Sequence, residues 1–119
     1  MATYSKAPLS GSTNGRGIKV AATATAGTLI HTGSTTTSTL HEVWLYAANS
    51  DTAGRKLTIE WAGTTAPDDT IELTIAPESG LVLVCPGLLV VGDGSALIVR
   101  AFADTTNVLL VHGYVNVLT

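Results

Sequence analysis

Much of this chain alternates apolar and polar residues with a period of two, and turn residues punctuate it at intervals of about 8–12 residues. In Arg55–Ala62, Leu57, Ile59 and Trp61 fall on one side and Lys56, Thr58 and Glu60 on the other. In Thr70–Ile75, Ile71, Leu73 and Ile75 alternate with Glu72 and Thr74. In His41–Asn49, Val43, Leu45 and Ala47 oppose Glu42, Trp44 and Tyr46. Successive side chains of a strand point to opposite faces, so each segment is expected to bury one face and wet the other. No segment carries a 3.6-residue apolar repeat, so no long helix is predicted.

Further strands are predicted at Ile18–Ala24, Thr28–His31, Leu81–Cys85, Leu88–Val91, Ala96–Ala103 and Val108–Val117. Leu81–Cys85 is continuously apolar and reads as buried on both faces, with Pro86–Gly87 turning the chain after it. The turns between strands include SDTAG at 50–54, GTTAPDD at 63–69, APESG at 76–80 and GDGS at 92–95. A polar, low-complexity loop, TGSTTTST, spans 32–39. About eight strands with this spacing predict an all-β fold, an antiparallel β-sandwich or jelly roll over residues 18–119. Residues 1–17 hold Pro8, Gly11, Asn14, Gly15 and Gly17, which break any periodicity, and are expected to form an extended N-terminal arm.

With 119 residues the chain is sized for one domain. Only 13% of residues are charged, about half the usual share, while 45% are apolar. So few charges leave uncharged surface that a small domain must cover, and burial against copies of itself, as a homo-oligomer, or against a partner in a permanent assembly is the expected means. The net charge of −3 with six basic residues offers no basic footprint for a phosphate backbone, so no nucleic-acid partner is expected. The longest apolar run, Leu81 to Val91, contains Pro86 and Gly87 and falls well short of the roughly twenty residues of a membrane helix. No apolar stretch opens the chain as a signal peptide would, and synthesis in the cytoplasm is expected. Cys85 is the single cysteine, so no internal disulfide forms, and in its apolar setting it should be an inert thiol.

Residues that carry chemistry are sparse. His31, His41 and His112 lack the short, fixed spacings of a zinc site, although His31 and His41 flank one loop and can approach in space. Asp68 and Asp69 suit a turn better than a calcium cage of six to eight oxygens. Glu60 and Glu72 fall on the outer faces of neighbouring strands, where a glycosidase-like pair competes with a plain solvated face. Arg100 would need a carboxylate if buried, with Glu42, Glu60 and Glu72 as candidates. Neither GSTNG at 11–15, NGRG at 14–17 nor GDGS at 92–95 has the strand–turn–helix context of a nucleophile elbow or phosphate loop. No catalytic residue, cofactor or metal is therefore assigned, and the chain is not expected to be an enzyme. Trp44, Tyr46 and Trp61 fit three settings: a sugar-stacking surface, a subunit interface or the core.

Four segments carry a resemblance. YSKAPLSGSTNGRGIKVAATATAGTLIHT, HEVWLYAANSD, KLTIEWAGTTAPDD and the closing VLLVHGYVNVLT are similar to a group of small virion proteins of tailed bacteriophages. Within that group the chain resembles capsid decoration, or cement, proteins, and the resemblance covers nearly its whole length. It implies a β-rich structural protein on the capsid surface, often trimeric, bound to the major capsid protein and without chemistry of its own. A position at the neck, tail or fibre is the related alternative, and a carbohydrate- or receptor-binding module the competing one. Tyr4, Lys6 and Arg16 in the arm, with Trp44 and Tyr46, are the residues expected to contact partners, chosen from position, charge and aromatic character.

Overall fold

A computed structural model describes residues 3–119. Nine strands form among them: β1 (Tyr4–Pro8), β2 (Ile18–Lys19), β3 (Thr28–Thr32), β4 (Leu40–Asn49), β5 (Arg55–Trp61), β6 (Thr70–Ile75), β7 (Val82–Val91), β8 (Ile98–Ala103) and β9 (Leu109–Leu118). They make two antiparallel sheets. The front sheet runs β1-β9-β4-β7, with β2 also on β9, and the back sheet runs β3-β8-β5-β6. The all-β sandwich expected from the alternation is thus the fold observed, with nine strands rather than about eight.

The core lies between the sheets and follows the alternation. Val43, Leu45 and Ala47 of β4, with Val111 and Val115 beside them on β9, share one core cluster with Leu57 and Ile59 of β5 and Val99 and Ala101 of β8, all fully buried. β4 is the spine of the front sheet, because all ten of its residues pair with β9 and Leu40–Ala47 pair with β7 on the other side. Gly113 is required where β9 crosses it: a Cβ there would stand 1.9 Å from the Trp44 carbonyl oxygen.

Several expectations are corrected. β7 is one strand, not two around a turn: Pro86 and Gly87 sit inside it, absorbed by register shifts opposite Val43–Trp44 and Leu45–Tyr46. Such bulges are how a strand accommodates a residue without an N–H. Nor is β7 buried on both faces. It is the edge of the front sheet, and of Leu81–Cys85 only Cys85 is buried. The strand expected at Ile18–Ala24 stops at Lys19. Val20–Ala22 then crosses between sheets, with Val20 bonded to Leu109 and Asn107, and the Ala22 carbonyl accepting from Ala103 N–H.

Of the 1–17 segment expected as an arm, residues 1 and 2 lie outside the described residues. Tyr4–Pro8 is a strand of the front sheet, with Tyr4 opposite Leu118 and Pro8 opposite Tyr114. Leu9 then enters the core, fully buried. Gly11 crosses to the back sheet, its N–H donating to the Ile30 carbonyl at 2.9 Å. The approach is close enough that a Cβ on Gly11 would stand 2.5 Å from the Leu29 carbonyl oxygen. The segment therefore ties the two sheets of its own chain together along one side.

Candidate functional site

The outer face of the front sheet gathers most of the residues singled out from sequence. Register places Glu42, Asn116 and Lys6 in one row across β4, β9 and β1, and Trp44, Tyr114 and Pro8 in the next. Trp44 and Tyr114 lie nearly parallel, 10° apart with centroids 6.2 Å from each other. The Lys6 ammonium stands 4.7 Å from the Tyr114 ring centroid, within cation–π range. The Trp44 indole N–H donates to Glu42 Oε1 at 2.7 Å, and Asn116 Nδ2 donates to the same oxygen at 3.0 Å. These bonds to the ionised form, Trp44 first, hold the Glu42 carboxyl below its ordinary range. Gly87 lets the indole settle over β7: a Cβ there would lie 3.1 Å from it.

The other expected contact residues are distributed differently. Tyr46 is half-buried one row further along β4, between Leu83 and His112. Tyr4 is exposed at the outer end of β1. Arg16 is exposed in the turn after Leu9 and makes no ion pair among the described residues. Lys6, Trp44 and, through its row, Tyr4 thus share one face, whereas Arg16 belongs to a separate loop.

β7 borders that face and presents the surface that sequence reasoning missed. Leu81, just before it, and Leu83, Leu88 and Leu89 within it are 40–59% exposed. No charged residue occurs between Leu81 and Val91. A strand edge of this kind is a place where another chain gains by docking. The apolar run was visible in sequence; its position at a sheet edge was not, because pairing order decides it.

Glu60 is buried on the side of β5 away from the core, where a solvated face was expected. It reaches across β8 and accepts from Thr25 Oγ1–H at 2.5 Å and Gly27 N–H at 2.7 Å, which fixes the turn before β3. Glu72 lies opposite Thr58, not Glu60, and pairs with Lys56 on the surface. The two carboxylates are thus held by different partners and do not form the pair considered from sequence. Asp69 closes its own loop, accepting from Thr65 N–H at 3.0 Å. Arg100 finds no carboxylate partner among the described residues and lines a shallow cavity of about 210 Å³ with Ala62, Gly63 and Leu97. The Cys85 thiol is buried and pushed up to about 11 by desolvation, as its apolar setting predicts. Among the described residues no three His, Cys, Asp or Glu side chains gather as a metal site. His31 and His41 do meet, His31 Nε2 standing 2.8 Å from His41 Nδ1.

Set against protein-family models, curated proteins and solved structures, the chain matches none of them.

Proposed function

We propose that the chain is a structural virion protein that coats and stabilises a tailed-phage capsid through protein–protein contact. Its partners in this reading are the major capsid protein and further copies of itself, with a trimer favoured. The observation that carries the reading is β7: an uncharged edge strand with three exposed leucines and a fourth, Leu81, just before it, on a domain with few charges to keep such an edge wet. The resemblance of the four segments supplies the class of partner. A trimer requires a heterologous contact, in which the β7 edge of one copy meets a different surface of the next and three rotations close the ring.

The test is the solution mass by light scattering, followed by mixing with expanded, undecorated capsids. The expected result is a mass near three times 12.2 kDa and saturable capsid binding, both lost in a Leu83→Lys, Leu89→Lys variant that stays folded. A wild-type monomer that leaves capsids bare overturns the reading.

One observation favours a second reading, a carbohydrate- or receptor-binding module. The near-parallel Trp44 and Tyr114 rings lie across an outer sheet face, an arrangement suited to stacking on a sugar. A saccharide that quenches tryptophan fluorescence in the wild type, but not in Trp44→Ala, would support it. A flat response across a broad glycan panel counts against it.

A further inference from the structure

His31 on β3 and His41 on β4 join the back sheet to the front sheet, and their hydrogen bonds fix where every proton sits. The Ser10 N–H donates to His31 Nδ1 at 3.1 Å. An amide N–H only donates, so His31 Nδ1 must carry a lone pair. A neutral imidazole has one N–H, which then lies on His31 Nε2 and donates to His41 Nδ1 at 2.8 Å. His41 Nδ1 is therefore an acceptor too, and the His41 proton lies on its Nε2. The two rings hold two protons in this geometry and have no place for a third. A proton added at His31 Nδ1 would set one N–H against the Ser10 N–H. A proton added at His41 Nδ1 would set it against His31 Nε2–H.

Among the described residues no carboxylate pairs with either ring. His31 is 4% exposed. Its neighbour in register is Val99 on β8, and those of His41 are Val90 on β7 and Val117 on β9, none of them titratable. Glu42 follows His41 in sequence, but it points to the outer face and is held there by Trp44 and Asn116. Burial, and then the neighbouring His41, lower His31 to about 4, and burial lowers His41 as well. The same short stretch also anchors the N-terminal segment. Ser10 Oγ accepts from Thr32 N–H at 2.6 Å, and the Gly11 N–H is bonded to Ile30.

We propose that the Ser10–His31–His41 chain is an acid-released latch that clips the N-terminal segment onto β3 at neutral pH and lets it go when either ring gains a proton. Protonation takes a proton from solvent, breaks one of the two imidazole hydrogen bonds and, once both rings are charged, drives them apart. The first element to loosen is the Leu9–Gly11 connection, and the edge strand β1 follows. This inference is independent of the capsid reading, since it concerns only the chain's own contacts.

The test is NMR on the full chain. Imidazole nitrogen shifts at neutral pH should show both rings in the Nε2–H tautomer. On acidification, both should titrate below the ordinary histidine value of about 6.5. Amide hydrogen exchange at Ser10, Gly11 and Ser5–Ala7, corrected for the intrinsic effect of pH, should rise at least tenfold between pH 7 and pH 4, while β5 and β8 stay protected. In His41→Gln the acceptor remains but cannot be charged, and the rise should shift to lower pH. An Nδ1–H tautomer on either ring at neutral pH overturns the proposal. So does exchange that rises equally in wild type and variant, or equally in all strands. If His41→Gln does not fold, the wild-type tautomers and the order of exchange decide alone.

Discussion

Replacing Leu9 by alanine tests whether the N-terminal residues belong to the folded core. Leu9 is fully buried although it lies between Pro8 and Ser10, in a stretch whose composition reads as an arm. The substitution removes three carbons, which at ~0.8 kcal/mol per buried CH₂ is about 2.4 kcal/mol of lost transfer free energy. A residual cavity of roughly 40–80 Å³ adds about 1–2 kcal/mol at ~24 cal/mol per Å³. The expected loss is thus about 3–4 kcal/mol, a large part of the roughly 5–15 kcal/mol that holds a domain folded. Urea unfolding followed by tryptophan fluorescence reads it directly. With a slope of about 2 kcal/mol per molar, the midpoint should fall by roughly 1.5–2 M at unchanged slope. A free arm predicts no shift, and a shift below about 0.3 M would refute the assignment of Leu9 to the core. By the same reasoning, deleting residues 1–17 should destabilise the domain rather than only abolish a contact with a partner.

Stability should also fall on acidification between about pH 6.5 and pH 4. His31 is lowered to about 4 in the folded chain, so over that window the unfolded state binds more protons, and stability rises with pH where that holds. Above the window both states are neutral and the effect vanishes; the whole span is worth at most about 3 kcal/mol at ~1.36 kcal/mol per pKa unit. Unfolding curves at stepped pH check it, and His31→Gln should flatten the slope. Separately, Glu60→Ala should cost about 1–3 kcal/mol by leaving the buried Gly27 N–H without its acceptor, whereas Glu60→Gln, which keeps an oxygen there, should cost less. Equal losses in both variants, measured by urea unfolding, would show that the charge rather than the hydrogen bond to Gly27 matters.

The parts of this fold that could be read from sequence are those where alternation and burial coincide. In β4 the period of two named Val43, Leu45 and Ala47 as the inward set, and they are the inward set. Alternation failed where a loop covers the outer face. Thr58 and Glu60 sit on the polar side of β5, yet both are buried. Glu60 lies under the Thr25–Gly27 turn, which hydrogen bonding draws down onto it. It failed again for β7, because a run of apolar residues does not reveal whether neighbours flank it on both sides. Leu9 left no signal at all, since one apolar residue among turn formers has no period. The contact of His31 with His41 crosses between sheets, so register and packing set it, not spacing along the chain. The aromatic face is half legible: alternation puts Trp44 and Tyr46 on one side of β4, but the partner of Trp44, Tyr114, comes from a strand some seventy residues away.

The β7 edge bears on how copies would meet. Long unpaired edges invite open-ended strand addition, and proteins blunt them with proline, bulges and covered backbone groups. β7 has all three. Pro86 offers no N–H, two register shifts bend the strand, and the Trp61 indole N–H donates to the Leu89 carbonyl at 3.2 Å. Backbone pairing along the full strand with a neighbour is therefore obstructed. The exposed leucines are not blunted by any of these devices, and they fall into two groups, Leu81 and Leu83 before the Pro86–Gly87 step and Leu88 and Leu89 after it. A partner that fits this edge meets side chains rather than a hydrogen-bond ladder. That requirement favours a closed assembly with leucines seated in a neighbour's surface over a fibre grown strand by strand. It also explains why lysine at Leu83 and Leu89, rather than a change to the backbone, is the informative perturbation for testing the proposed oligomer.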